Sequence, residues 1–292
     1  MSGTSPIDRR RVLSSLSSLT SRSAGRQTLR DLVQSVGLLG LARETRDFAS
    51  GLGRVRENAQ FWLHGSPDGL PIPPLRIVRA STGTSSLPWL FHGGALAATS
   101  IRDALAKNKT DIGDFRSILD FGCGCGRVIR HWATLKASIH GCDYNRASIR
   151  WCRRNLTFAA FEANALTPPL PYASEQFDLV YALSVFTHLP EPLMFAWMRE
   201  MWRVLRPGGT LLISTHGEPY LGELTPDQQR EFRSGRAVVK DSDAAGTNRC
   251  GVYMSEAYIR QHLCEGFRVV DFLPQGAKGN PVQDLVILEK VS

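Results

Sequence analysis

The chain has 292 residues, 42% of them hydrophobic, enough for one sizeable domain with additions or two small ones. Its formal charge of +8 is uneven: residues 1–30 hold six arginines against the single acid Asp8, and the other 262 residues carry only +3. That distribution disfavours a folded body built to grip nucleic acid.

No apolar run reaches the roughly eighteen residues that a membrane-spanning helix needs. The six cysteines (Cys123, Cys125, Cys142, Cys152, Cys250 and Cys264) form no C-x-x-C pair and have no His-rich spacing around them. No metal site is read, and reduced structural thiols in a cytoplasmic protein are expected.

Residues 1–28 are rich in Ser and Arg and poor in acids, the composition of a disordered basic tail; residues 1–30 also resemble an organellar transit segment. Residues 29–92 read as a helical cover and a connection. Leu29, Leu32, Val33 and Val36 share one helical face, and Phe48, Leu52, Val55, Ala59 and Trp62 recur at helical spacing. Five prolines between Ser66 and Pro88 predict an ordered connection rather than a long element. Trp89 and His92 precede Gly93–Gly94, and a helix is expected from Ala95 to Lys107.

From Arg116 the pattern alternates between strands and helices. A strand over Arg116–Phe121 runs into glycines at 122, 124 and 126, where the chain can turn tightly and approach a ligand. A helix is expected from Arg127 to Thr134, its free N–H groups facing that ligand. The next strand, Ala137–Cys142, ends at Asp143, 21 residues beyond Gly122, where a ribose-binding carboxylate follows a nucleotide-binding turn. The span reads as a βαβ unit with its ligand over the strand ends. Further elements are a helix at Arg146–Asn155, a strand at Thr157–Phe161 followed by Asn164, and a strand at Phe177–Leu183. Then come a helix at Glu191–Leu205, a turn at Arg206–Gly209 and a strand at Thr210–Thr215. Residues 217–250 break the rhythm around a capped helix at Thr225–Phe232, and read equally as a surface insertion or a mobile cover. A helix at Ser255–Leu263 and an antiparallel pair, Phe267–Leu273 with Pro281–Glu289, complete the chain.

Several of these stretches together resemble the class I S-adenosylmethionine-dependent methyltransferases, especially their small-molecule group. The resemblance covers residues 93–289 and rests on Asp120–Gly126, Gly141–Asp143, Phe177–Val180 and Leu205–Gly209. It implies an α/β, Rossmann-like fold: a seven-stranded mixed sheet with an antiparallel last strand in a domain spanning 93–292, behind the N-terminal cover. It also implies S-adenosyl-L-methionine as cofactor. Gly122, Cys123 and Gly124 would hold the methionine part, with Asp120 orienting the turn or meeting the amino group. Asp143 would take the ribose hydroxyls and Tyr144 would pack on the adenosine. Asn164, beside Ala165, stands where the family often has an acid near adenine; its amide can still donate and accept there. A nicotinamide enzyme shares this physical solution, but Gly-Cys-Gly-Cys-Gly departs from G-x-G-x-x-G.

The chemistry implied is in-line methyl transfer to an oxygen or nitrogen of a small metabolite, with positioning as the main task and a base to remove the acceptor's proton. His188 and His216 follow the fourth and fifth strands and are the catalytic candidates. Glu218, Tyr181, Phe186, Trp89 and His92 are candidates for the acceptor pocket. After strand four the chain reads Ala182–Leu183–Ser184–Val185, without the Asp/Asn-Pro-Pro-aromatic tetrad of many nucleic-acid amino-methyltransferases. Expected partners are a small-molecule methyl acceptor and, left open, a second copy in a homodimer; neither membrane nor nucleic acid is expected. An RNA methyltransferase and a non-catalytic, partner-binding relative are the alternatives.

Overall fold

The computed structural model describes residues 55–279 and 281–291. The expectations for residues 1–54, the basic tail and the first helical face, lie outside them. The chain divides into two units, Met1–Arg56 and Glu57–Ser292, and every strand described belongs to the second.

Every residue of Ser117–Phe121 is buried, as in a strand covered on both faces, and this run forms β1. β2 (Ser138–Asp143), β3 (Ala160–Ala163), β4 (Phe177–Ala182) and β5 (Leu205–Thr215) run parallel with it. β6 (Val238–Lys240) and β7 (Gly251–Tyr253) form a separate antiparallel ribbon. β8 (Phe267–Ala277) and β9 (Gln283–Lys290) complete the main sheet, with β9 antiparallel to both its neighbours. The order β3-β2-β1-β4-β5-β9-β8 is the expected seven-stranded mixed sheet. Its direction of winding reverses at β1, which opens a crevice at the strands' C-terminal ends.

Residues 55–64 are helical where the described chain begins; the further helices are α1 (Leu75–Thr82), α2 (Leu87–Lys107), α3 (Arg146–Asn155), α4 (Glu191–Val204), α5 (Pro226–Arg233) and the single turn α6 (Glu256–Tyr258), which continues as a π-turn over Ile259–Leu263. On one sheet face Met194, Trp197 and Met198 of α4 pack with Phe121, Val180 and Phe186. On the other, Ile101 and Leu105 of α2 pack with Trp132, Ile149 and Tyr181. Among the described residues no helix is long and apolar enough to cross a membrane. All six cysteines are free, and burial pushes their thiols up, Cys125 to about 11.

Four expectations are corrected. No α-helix follows the glycine turn: residues 127–137 must bring the chain back to β2, and they do so through a 3₁₀ turn at Ile129–Trp132. α2 starts eight residues before Ala95, capped by Ser86, whose hydroxyl accepts from Trp89 N at 3.3 Å. Gly93–Gly94 lie inside this helix because a Cβ at Gly94 would come within 2.3 Å of the Arg127 carbonyl oxygen. The proline-rich connection contains α1, with Pro74 at its N-cap. β5 begins at Leu205, and the expected turn is a bulge in it: Phe177 pairs with Leu205 and Leu179 with Thr210, so Arg206–Gly209 loop out.

The cover is fastened to the glycine turn by Arg130. This buried guanidinium donates through Nε and Nη2 to both oxygens of Asp68, the second at 2.8 Å, and lies 4.8 Å over the Phe91 ring.

Candidate active site

A cleft of about 160 Å³, partly open to solvent, lies at the ends of β1, β2 and β4. The glycine turn forms its floor. Gly122 has φ +81°, and a Cβ there would lie 2.4 Å from Val185 Cγ2; Gly124 has φ +54°, and its Cβ would meet Ser81 Cβ at 2.9 Å. Only glycine satisfies both the backbone and the space at these positions. The turn is braced by Asp143: Oδ2 accepts from Gly124 N at 2.8 Å and Oδ1 from Asn145 N at 2.7 Å. Each oxygen keeps a lone pair for a ligand hydroxyl. Burial raises the Asp143 pKa, while those two N–H groups pull it back.

Among the described residues, two acceptors in the cleft have no partner, Asp120 Oδ2 and Asn164 Oδ1. Buried polar atoms are normally satisfied, so each marks a place where a ligand donor belongs. Burial pushes the Asp120 carboxyl up to about 7, against the pull of Tyr181 and Arg127. Cys123, Tyr144 and Ala165 also line the cleft, and Tyr144 is 47% exposed beside it.

His188 also lines the cleft. Its Nδ1 lies 2.6 Å from the Cys250 carbonyl, which can only accept, so Nδ1 carries the proton and Nε2 the lone pair. Burial lowers its pKa, so the ring is neutral near pH 7. The insertion that supplies Cys250 also supplies Gly246 and Asn248 to the lining, and Gly246 N donates to the His188 carbonyl at 2.8 Å. The end of the 217–250 insertion, Gly246 and Asn248, is therefore part of the cleft wall.

His216 is the other candidate base. It lies next to His188, with ring centroids 6.3 Å apart, but does not line the cleft. Gln283 Oε1 accepts from Ser214 Oγ at 2.6 Å and Ser184 Oγ at 2.9 Å, which turns its amide nitrogen onto His216 Nε2 at 3.1 Å. The lone pair that a base needs is engaged there, and burial, with the neighbouring His188 ring, lowers the His216 pKa to about 4. Tyr181 and Phe186 are fully buried core residues, and the Tyr181 hydroxyl accepts from Trp132 Nε1 at 2.9 Å. Trp89, 37% exposed, and His92 lie on the outer first turns of α2, and Glu218 is exposed in a 3₁₀ turn; none of these five lines the cleft. Sequence reasoning missed Ser81, Arg127, Ser184 and Asn248. Only Arg127 carried a local signal, a cation directly after the glycine turn.

Residues 118–209 match the family described as "Methyltransferase domain". This region is a class I methyltransferase domain. Its sheet order and the place of its glycine turn and Asp143 agree with that membership. Similar proteins include Methyltransferase GfsG of Streptomyces halstedii, 33% identical over 36% of this chain and 40% of that protein. Malonyl-[acyl-carrier protein] O-methyltransferase of Enterobacter lignolyticus is 33% identical over 38% and 43%. Ubiquinone biosynthesis O-methyltransferase of Pseudomonas fluorescens is 30% identical over 40% and 57%. The chain thus spans about half the length of the curated relatives it matches.

The cofactor of this methyltransferase family is S-adenosyl-L-methionine, and the residues present fit it. Asp143 suits the ribose diol, and the unpartnered Asn164 oxygen suits the adenine amino group. The unpartnered Asp120 oxygen suits the ammonium of the methionine end. One consequence is measurable. An ammonium group binds the ionised carboxyl, so affinity for S-adenosylmethionine is expected to rise with pH through about 7 and then level off. Calorimetry across roughly pH 5.5–8.5 checks this, with Asp120→Asn giving a weaker and flatter profile. A flat wild-type profile would remove Asp120 from the contact.

Proposed function

We propose that the chain transfers a methyl group from S-adenosylmethionine to an oxygen or nitrogen of a small metabolite by direct in-line displacement. The observation that carries this reading is His188: a neutral imidazole lining the same cleft as Asp120 and Asp143 and fixed by the Cys250 carbonyl. When bound, the cofactor supplies an electrophilic methyl group on a positive sulfonium. The chain's own work is positional. Asp143 and Asp120 hold the two ends of the cofactor, and the glycine turn admits it closely. The wall from Ser184 to His188 with Gly246 and Asn248 orients the acceptor. His188 Nε2 takes the acceptor proton as the new bond forms, which suits a hydroxyl or a protonated amine. Two of the relatives are named as O-methyltransferases, which supports oxygen as the first acceptor to try.

The test is transfer of a labelled methyl group from the cofactor to a panel of hydroxyl- and amine-bearing metabolites. Product is expected with a hydroxyl acceptor. His188→Gln should lower kcat by about 10²–10³ and leave cofactor affinity unchanged. Because the His188 pKa lies below its usual value, the wild-type rate should hold at neutral pH and fall only as pH drops below the ordinary histidine range. Equal rates in the two proteins at every pH would reject the base. Tight cofactor binding with no transfer to any acceptor, joined to capture of a protein partner, would favour the non-catalytic reading.

A further inference from the structure

The exposed side of α3 is built of arginine. Arg146, Arg150, Arg153 and Arg154 fall within about 100° of arc, opposite the buried Ser148, Ile149 and Cys152. Arg146, Arg150 and Arg154 stand at i, i+4 and i+8, a ladder about 12 Å long. α1 lies beside α3: Ser81 Oγ is 3.4 Å from Ser148 Oγ, and Trp151 packs on the cluster that holds Ile77 and Val78. Arg76 and Arg79 of α1 are exposed as well. No acid occurs from Gly69 to Arg102 or from Tyr144 to Phe161. Among the described residues only Arg153 of these six has an ion-pair partner, Glu162 at 2.6 Å.

This pattern works against α3 itself. Like charges at i, i+4 repel, and Arg146 stands at the positive end of the helix dipole with no acid in the first turn to offset it. Successive rungs are about 6 Å apart along the axis, inside the Debye length of about 8 Å at physiological salt, so their fields add. The charge is also segregated. Residues 31–292 carry only +3, so without these six arginines that part of the chain would be net negative. The surface adjoins the cleft: Ala80, Ser81 and Thr82 at the end of α1 and Tyr144 and Asn145 at the start of α3 line it.

We infer that the exposed faces of α1 and α3 are a docking surface for an acidic protein, met through a helix whose carboxylates repeat at i, i+4 and i+8. Such a helix matches the ladder in spacing and in sign, and a guanidinium fork takes a carboxylate with two parallel hydrogen bonds. It also relieves the repulsion that the fold leaves uncompensated in α3. A long phosphate chain or a flat anionic membrane would reach past the two helices to a body that is otherwise net negative. A single acidic helix needs no more than the ladder and its neighbour. The partner stands at the rim of the cleft, whichever acceptor is methylated.

The experiment uses the full-length protein and a labelled helical peptide carrying glutamate at three successive i, i+4 positions, with the glutamine version as control. Binding is read by fluorescence anisotropy at roughly 50 mM salt. Wild type is compared with a triple variant, Arg146→Gln, Arg150→Gln and Arg154→Gln, and with a double variant, Arg76→Gln and Arg79→Gln. The basic residues 1–30 are present in all three proteins, so their contribution cancels. The triple variant should bind the glutamate peptide about tenfold more weakly, and the double variant a few-fold more weakly. Both differences should vanish at about 1 M salt, and the glutamine peptide should not distinguish the proteins. Affinity for a single-stranded RNA and for phosphatidylglycerol vesicles should change by less than about twofold in either variant. The triple variant should melt no lower than wild type, because a repulsion has been removed. Equal affinity of all three proteins for the glutamate peptide would overturn the inference. A larger loss on RNA or vesicles than on the peptide would give the surface to phosphates and overturn it too. A lower melting temperature in the triple variant would mean that the arginines already have partners within the chain, with the same result.

Discussion

Replacing Asp143 by alanine is expected to weaken S-adenosylmethionine binding by about a hundredfold or more and to lower stability as well. The two effects have separate origins. The carboxylate offers two charged acceptors to the ribose diol, each such bond contributing roughly 1.5–3 kcal/mol. The same oxygens already hold Gly124 N at 2.8 Å and Asn145 N at 2.7 Å. Alanine leaves both donors unsatisfied, at roughly 1–3 kcal/mol for the buried Gly124 N–H and less for the half-buried Asn145 N–H. Asp143→Asn separates the terms, because its one remaining oxygen still serves a backbone N–H but no longer meets both hydroxyls as an acceptor. It should therefore recover much of the melting temperature and little of the affinity. Calorimetric titration and thermal unfolding of the three proteins check this; unchanged affinity in a folded alanine variant would reject the ribose contact.

The second large effect lies outside the cleft. Asp68→Ala removes the partner of Arg130, whose side chain is 0% exposed while that of Asp68 is 23% exposed. An unpaired buried guanidinium costs about 3–5 kcal/mol, and the partial exposure of Asp68 points to the lower end. The double replacement Asp68→Leu with Arg130→Met should regain most of the loss, because both charges then leave together. Denaturant unfolding monitors both; a loss under about 1 kcal/mol for Asp68→Ala would mean that water already compensates Arg130. The pair also sets an acid limit. Burial raises the Asp68 pKa, but the hydrogen bond and charge of Arg130 outweigh it and leave the carboxyl below its usual 3.8. Its contribution is therefore present above about pH 3.8 and is lost as pH falls through the lower, folded-state value.

The cofactor half of the site was legible in the sequence because its signals are local. β1, β2 and β4 are short apolar runs, the glycines sit at fixed offsets, and Asp143 closes β2, where the sheet must present it. The acceptor half was not. His188 and His216 were both candidates because both follow strand ends, with His216 put first. What separates them is Gln283, 67 residues beyond His216, which engages its Nε2, and the Cys250 carbonyl, 62 residues beyond His188, which fixes its proton. Neither is visible without the tertiary fold. Gly93–Gly94 misled for the same reason. In one dimension two adjacent glycines read as a break, whereas in the fold the second is the residue that lets α2 lie against the Arg127 carbonyl. Tyr181 alternates as a pocket residue would, yet its hydroxyl is taken by Trp132 in the core.

The two hydrogen bonds between His188 and residues 246–250 tie the proposed base to the insertion. In the mechanism proposed above, the base and the loop beside it therefore form one unit. Its proton is placed by a main-chain carbonyl of the insertion, and its turn is held by a main-chain amide of the same loop. Side-chain drift in the insertion can therefore reshape the acceptor pocket while the imidazole stays set. Changing the insertion's length moves the carbonyl and the base together. A chimera that imports a relative's loop to gain its acceptor range must bring the turn at Phe186–His188 with it.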